Sequence, residues 1–150
     1  MQLKPLLSIL AILFSALITT AAAQEVNVKK YTANERKFNR LMKRDKVILI
    51  DVRSAKEFAA SHIPGAINID VKQDGFEQKV KALGPYKTYL IYCRSGQRSE
   101  EALTKLYANG DVKRVYHLDG GINAWATADM PIKSSSESLA SAKQSEEDTL

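Results

Sequence analysis

The 150-residue chain predicts an α/β domain on a mainly parallel sheet. Two observations carry this expectation. Short, continuous apolar runs of strand length recur along the chain, the pattern of strands covered by helices on both faces. Between them lie segments with helical start and stop signals, so strands and helices alternate.

The elements follow in order. "VNVKKY" (26–31) reads as a short extended segment. "TANERKFNRLMKR" reads as a helix to about Arg44, opened by Thr32 and Glu35 at capping-box spacing. Phe38, Leu41 and Met42 share one face of it, and Arg36, Lys37, Arg40, Lys43 and Arg44 share the other. A basic amphipathic helix can dock on an anionic surface, and packing on a sheet with the charges solvated is the favoured reading. "KVILID" is a buried strand, and Ser54 with Glu57 repeats the capping-box spacing for a helix in "AKEFAAS". "HIPG" breaks that helix, "AINI" is a second strand, and "FEQKVKAL" is a helix stopped by Gly84-Pro85. "TYLIYC" is the third core strand, and Ser99 to Asn109 a helix with Gly110 at its C-cap. "RVYHL", the turn "DGG" and the short helix "INAWATA" complete the domain.

The two ends stand apart. Residues 1–23 carry Lys4, an apolar run from Leu6 to Ile18 and the small residues Ala21-Ala22-Ala23, the layout of a cleavable secretory leader. That run is short of the ~20 residues a membrane span needs. A signal peptide over 1–23 is expected, with a periplasmic or secreted product and no stable membrane association after cleavage. Residues 133–150 are rich in Ser, Ala and Glu and lack aromatics, so they are expected to be a disordered polar tail. The folded domain is then 24–132.

Residues 24–132 hold 19 basic and 13 acidic side chains, a balance suited to anionic small substrates or acidic partners. Nothing resembles a nucleic-acid reading motif, and no nucleic-acid partner is expected. Cys93 is the one cysteine, so it has no internal disulfide partner and no C-x-x-C motif. With His62 and His117 distant in sequence it makes no zinc site, and no metal is expected. Cys93 is therefore either an inert buried residue or a reactive thiol.

Its setting points to the second. Cys93 ends a buried strand just before a helix, where ligand sites of open α/β sheets lie. The loop between can aim successive backbone N–H groups at one point, and the helix dipole adds positive potential. Gly96 permits the curl, and Arg94 and Arg98 add full charges. Activation alone explains little of this. A thiol lowered from a pKa of ~8.5 to ~6.5 gains roughly 25-fold in thiolate at neutral pH but loses roughly 8-fold in nucleophilicity. Stabilising an anionic substrate, or an anionic sulfur product on Cys93, is the better reason.

"DVRSAKEFAASHIPGAINI", "YCRSGQRS" and "LDGGINAW" together resemble, in order and spacing, the three signatures of the rhodanese-like sulfurtransferases, over about residues 28–131. The resemblance implies a five-stranded, mainly parallel sheet with helices on both faces. It implies a persulfide on Cys93, cradled by "CRSGQR": the thiolate takes a sulfane sulfur from thiosulfate or a similar anionic donor, then passes it to cyanide or a thiol. No cofactor is implied. The loop from Cys93 to Arg98 has six residues; the seven-residue loops of related dual-specificity phosphatases and arsenate reductases are roomier, and the shorter ring favours sulfur over phosphate. Ser61, before His62, stands where the family usually has glycine.

Within this scheme Cys93 is the nucleophile. Arg94, Ser95, Gly96, Gln97, Arg98 and Ser99 form the substrate-binding loop, with Ser95, Gly96, Gln97 and Ser99 acting mainly through backbone N–H groups. Arg94 is expected at the pocket mouth, on the donor's sulfonate. Arg98 either binds substrate or ties the loop to Glu57 or Asp51. Asp51 and Arg53, expected on the same side as Cys93, have supporting roles in holding neighbouring loops. His62 reads as a structural hydrogen-bonded residue before a general base, and Trp125 and Phe58 as core. A second reading is a persulfide carrier or sensor for a protein sulfur acceptor, supported by the basic helix.

Overall fold

The computed structural model describes residues 26–84, 87–108, 110, 112 and 114–135. The expected leader and residues 136–150 of the expected tail lie outside them. Five strands form one all-parallel sheet: β1 (Thr32–Ala33), β2 (Val47–Asp51), β4 (Ile67–Asn68), β5 (Thr88–Tyr92) and β6 (Val115–Leu118). Their spatial order is β1-β6-β5-β2-β4. Helices α1 (Val28–Tyr31), α2 (Glu35–Met42), α3 (Ala55–Ala60), α4 (Phe76–Ala82), α5 (Gln97–Ala108) and α6 (Gly121–Thr127) connect them. A two-stranded antiparallel sheet pairs β3 (Ser61–His62) with β7 (Lys133–Ser134).

The central strands divide their side chains between two cores. Tyr89, Ile91 and Cys93 face one side with Phe76 and Val80 of α4 and Ala102, Leu103 and Leu106 of α5. Leu90 and Tyr92 face the other with Phe38 and Leu41 of α2 and Ile122 and Trp125 of α6. Burying each large apolar side chain contributes about 1.5–3 kcal/mol, so helices on both faces are what stabilise a sheet of such strands. The Ser54–Glu57 capping box is complete: Glu57 N–H donates to Ser54 Oγ (3.3 Å), and Ser54 N–H donates to Glu57 Oε2 (3.2 Å).

Four expectations need correction. The segment "VNVKKY" is not extended: Val28–Tyr31 is a helical turn, because Val28 and Tyr31 both pack against the α5-side core and Tyr31 meets the Tyr107 ring at 4.4 Å. Thr32 does not cap α2. Its backbone pairs with His117 in β6, its hydroxyl donates to Val28 O, and Asn34 is the N-cap, accepting from Lys37 N–H at 3.0 Å. Lys37 leaves the solvated basic face: its Nζ donates to Thr32 O and lies 5.3 Å from the Tyr116 ring centre. Lys133 and Ser134, assigned to the tail by composition, are paired backbone, led there by Ile132, part-buried against the core, and by Pro131 O accepting from Trp125 Nε1 at 2.9 Å.

Candidate active site

Cys93 follows β5 directly, and its residue is 1% exposed. The chain turns back over it at Gly96, whose φ of 99° belongs to the left-handed region that glycine reaches without strain. That turn brings Gly96 N–H to 3.2 Å from Cys93 Sγ, donating to it. Helix α5 then begins at Gln97, two residues before the expected start, with Glu100 N–H bonded to Gly96 O at 2.9 Å. The N–H groups of Gln97, Arg98 and Ser99 find no carbonyl among the described residues. Such first-turn groups, with the positive end of the helix dipole, stabilise negative charge beside them.

The loop is clamped from two directions. From below, α6 directs its first N–H groups at the loop carbonyls: Ile122 N–H donates to Cys93 O (2.8 Å) and Asn123 N–H to Arg94 O (3.1 Å). Gly121 makes this approach possible, since a Cβ there would stand 2.4 Å from Cys93 O and 2.6 Å from Arg94 C. The "DGG" turn thus packs on the backbone of Cys93 and Arg94, a role beyond its turn chemistry.

At the far end of the loop, Arg98 forms a two-pronged pair with Glu57, Nη1 to Oε2 and Nη2 to Oε1, both at 2.8 Å. The Arg98 guanidinium holds the Glu57 carboxyl down to a pKa of about 2, with the Ser54 hydrogen bonds assisting, and Glu57 in turn raises the Arg98 pKa. Of the two roles open to Arg98, the geometry shows the tie to α3, and the partner is Glu57, not Asp51.

Beside the loop, Asp51 and Arg53 form a buried pair, Arg53 Nη2 donating to Asp51 Oδ2 at 2.7 Å. Burial opposes the Arg53 charge, and the Asp51 carboxylate more than offsets it, so the Arg53 pKa is raised. Arg53 also donates to Ser61 O, and Asn68 Nδ2 donates to the carbonyls of Asp51 and Arg53. The pair therefore joins β2, β3 and β4. It does so from the opposite side to that expected: Asp51 is in register with Tyr92, on the sheet face away from the Cys93 side chain. Tyr92, unmentioned at the sequence level, completes this support by accepting Ile63 N–H at 3.0 Å, and burial raises its phenol pKa.

Arg94 and Ser95 are exposed, as is Gln97, whereas Gly96 and Ser99 are buried. Ser99 turns its hydroxyl back to Gly96 O (2.8 Å). Arg94 lines a cleft of ≈ 340 Å³ together with the polar side chains of Arg53 and Glu57 and the apolar ones of Ile122, Ala126 and Ile132. Cys93 does not line it. Arg53 and Glu57 are paired, while the Arg94 guanidinium has no partner among the described residues. His62 Nδ1 lies 2.9 Å from Phe58 O and the two rings stack at 4.1 Å. Phe58, expected in the core, is only part-buried and belongs to neither cluster, because α3 buries no residue. Ser61 has extended backbone, φ −164°, so nothing there calls for glycine. Among the described residues no cluster of three His, Cys, Asp or Glu side chains is placed to hold a metal ion.

The family model for the rhodanese-like domain matches residues 34–128. The chain belongs to the rhodanese-like family. Among curated relatives, the uncharacterized protein slr1261 of Synechocystis is 36% identical over 111 residues, 74% of this chain and 59% of that protein. A tRNA uridine(34) hydroxylase of Buchnera aphidicola is 35% identical over 102 residues, 64% of this chain but 30% of its own length. The chain thus spans less than two thirds of either. A sulfurtransferase of Allochromatium vinosum is 36% identical over 93 residues, covering 62% of this rhodanese-like chain and 84% of that protein. Among solved structures, a thiosulfate sulfurtransferase from Pseudomonas aeruginosa superposes with a TM-score of 0.59 at 25% identity, covering 69% of this chain and 19% of that one. A rhodanese-related protein from Thermoplasma volcanium shares the fold at a TM-score of 0.57 and 24% identity, covering 68% of this chain and 96% of that one.

Proposed function

We propose that this rhodanese-like domain is a sulfurtransferase that carries a sulfane sulfur on Cys93, taking it from thiosulfate or a similar donor and giving it to cyanide or a thiol. The observation that carries the reading is the Gly96 N–H donated to Cys93 Sγ at 3.2 Å, at the foot of a helix with open first-turn N–H groups. In the first step the Cys93 thiolate attacks the outer sulfur of thiosulfate. A Cys93 S–S bond forms as the S–S bond of thiosulfate breaks, its electron pair leaving on sulfite. In the second step the acceptor attacks the terminal sulfur, and the electron pair of the broken S–S bond returns to Cys93 as thiolate. Both states of Cys93 are anionic, and the loop N–H groups favour both. Arg94, the cleft cation without a partner, binds the donor's sulfonate.

The test is thiocyanate formation from thiosulfate and cyanide by the purified protein. Wild type is expected to turn over and Cys93→Ser to be inactive; an inactive wild type contradicts the assignment for these substrates. The leader pattern of residues 1–23 supports placing the activity in the periplasm or outside the cell. One observation favours a carrier role for a protein acceptor: Arg36, Arg40, Lys43 and Arg44 are exposed and form no ion pair among the described residues. Reversing the charge of Arg36 and Arg40 then weakens capture of the acceptor while leaving thiosulfate turnover intact.

A further inference from the structure

Arg53 has a structural task, and that task leaves part of its side chain unused. Its Nε donates to both oxygens of Asp51 at 3.0 Å, and its Nη2 donates to Asp51 Oδ2 at 2.7 Å and to Ser61 O. Nη1 has no hydrogen-bond partner among the described residues. The side chain is only 5% exposed, yet no buried side-chain nitrogen or oxygen among the described residues lacks a partner. Nη1 is therefore open, and the space before it is the cleft that Arg53 lines. Buried Asp51 and the Ser61 carbonyl hold the guanidinium from behind, so this nitrogen is a fixed donor with little freedom to lose on binding.

Counting charges narrows the ligand. Asp51 neutralises Arg53, and Arg98 neutralises Glu57 by taking both of its oxygens. Arg94 remains, exposed and without a partner among the described residues. The lining thus presents one net positive charge and two donors, Arg53 Nη1 and the Arg94 guanidinium. Ile122, Ala126 and Ile132 add apolar surface that an inorganic ion cannot use. At ≈ 340 Å³ the cleft has the size of sites for small organic molecules, roughly 300–1,000 Å³. One anionic head on a hydrocarbon body satisfies both parts of the lining. Arg94 follows Cys93 in the chain and Ile122 N–H donates to Cys93 O, so the cleft adjoins the sulfur without being lined by it.

We propose that Arg53 is a substrate-binding residue and that the cleft takes an organic, singly charged sulfur donor, an alkyl or aryl thiosulfonate. Arg53 Nη1 and Arg94 hold its sulfonyl oxygens, and Ile122, Ala126 and Ile132 cover its hydrocarbon part. The proposal rests on the sulfur-transfer reading above and names the donor class for that same site. The Cys93 thiolate attacks the donor's outer sulfur. A Cys93 S–S bond forms as the donor's S–S bond breaks, and the electron pair leaves on the organic sulfinate. Thiolate and thiosulfonate, each an anion, become persulfide and sulfinate, each an anion, so charge balances with no other reactant.

The experiment titrates benzenesulfonate, an unreactive analogue of the donor, into the protein by calorimetry, with sulfate and methyl phenyl sulfone as controls. Sulfate keeps the charge without the ring, and the sulfone keeps the ring without the charge. Benzenesulfonate is expected to bind about tenfold or more tightly than either, the scale of one charged hydrogen bond or of a partly buried ring. Ala126→Glu, which adds a carboxylate at an exposed position of the cleft, is expected to weaken it by about tenfold or more. Arg53→Lys keeps a cation for Asp51 but has no second arm for the ligand. It is expected to weaken benzenesulfonate about tenfold and the sulfone by less than about threefold, whereas a purely structural loss would weaken both alike. Should Arg53→Lys not fold, the charge-neutral double variant Asp51→Asn, Arg53→Gln takes its place. Sulfate binding as tightly as benzenesulfonate, or a benzenesulfonate affinity unmoved by Ala126→Glu or by the Arg53 variant, would overturn the proposal. In turnover, benzenethiosulfonate is expected to have a KM at least about tenfold below that of thiosulfate, and an equal or higher KM would count against the donor class. A wild type that binds benzenesulfonate but loads sulfur from neither donor is a distinct result, since it refutes the sulfur-transfer reading itself.

Discussion

Arg98, at the end of the active loop, grips Glu57, at the start of α3, with two contacts of 2.8 Å across 41 residues of sequence. The same carboxylate closes the Ser54 capping box. One side chain thus starts a helix and anchors the loop that cradles Cys93, which gives Glu57→Gln two expected effects. Both partners are part-exposed, so the pair contributes about 1 kcal/mol and turnover falls by about tenfold at most. The pH dependence has a definite sign. Glu57 has a folded pKa of about 2 against an ordinary 4.5, so its contribution is full above pH 4.5 and is lost as pH falls toward 2. Urea denaturation of wild type and Glu57→Gln should give a stability difference that is constant above pH 4.5 and closes below it. A difference unchanged at pH 2 would show that the ion pair is not its source.

Gly121 separates a backbone that must be close from one that is merely left-handed. In Gly121→Ala the new Cβ meets the Cys93 carbonyl and the Arg94 backbone, neither of which can move without opening the loop. A loss of about 2–4 kcal/mol and most of the activity is expected. Gly65 has φ +83° with open space around it, so Gly65→Ala should cost only about 1–2 kcal/mol and leave turnover unchanged. Equal destabilisation of the two variants would contradict this account of α6 docking.

Arg94 is expected to act on donor binding and little on chemistry. Arg94→Ala should raise KM for thiosulfate by about tenfold or more, the scale of a hydrogen bond to a charged group, and change kcat by less than about threefold. Steady-state kinetics over a range of thiosulfate concentrations distinguishes this from a loss confined to kcat, which would place the sulfonate elsewhere.

His117 predicts a pH dependence of stability with the opposite origin to that of Glu57. Burial lowers the pKa of its ring below the ordinary 6.5. Just below that pH the unfolded chain binds a proton that the folded chain does not. Stability therefore falls as pH is lowered through 6.5 and continues to fall to the folded-state pKa. The negative charges of Glu100 and Asp119 favour the protonated ring and limit the effect. Thermal denaturation between pH 7 and 5 should show this slope in wild type and a flatter one in His117→Gln.

Much of the site was legible where local chemistry and tertiary role coincide. The strand-to-helix passage at Cys93, the glycine that curls it and the Ser54–Glu57 cap are all written in short stretches of sequence. The misreadings arise where a distant partner claims a group that a local motif also offers. Thr32 and Glu35 have capping-box spacing, but pairing of Thr32 with His117 across the sheet takes that residue out of the cap and leaves it to Asn34. The valines of "VNVKKY" alternate like a strand, yet the i, i+3 pair Val28 and Tyr31 finds a core to pack on. Lys133 and Ser134 look like solvated tail until Trp125 and Ile132 draw the chain back against β3. His117 carried no local signal, because its partner Thr32 lies 85 residues away in the chain.

The claim that Cys93 carries the transferred sulfur is tested most directly by intact-mass analysis of the protein after incubation with thiosulfate and removal of excess reagent. The account predicts a gain of one sulfur atom in wild type, discharged by cyanide and absent in Cys93→Ser. A wild type whose mass is unchanged, or a Cys93→Ser variant that gains the same sulfur, would contradict it.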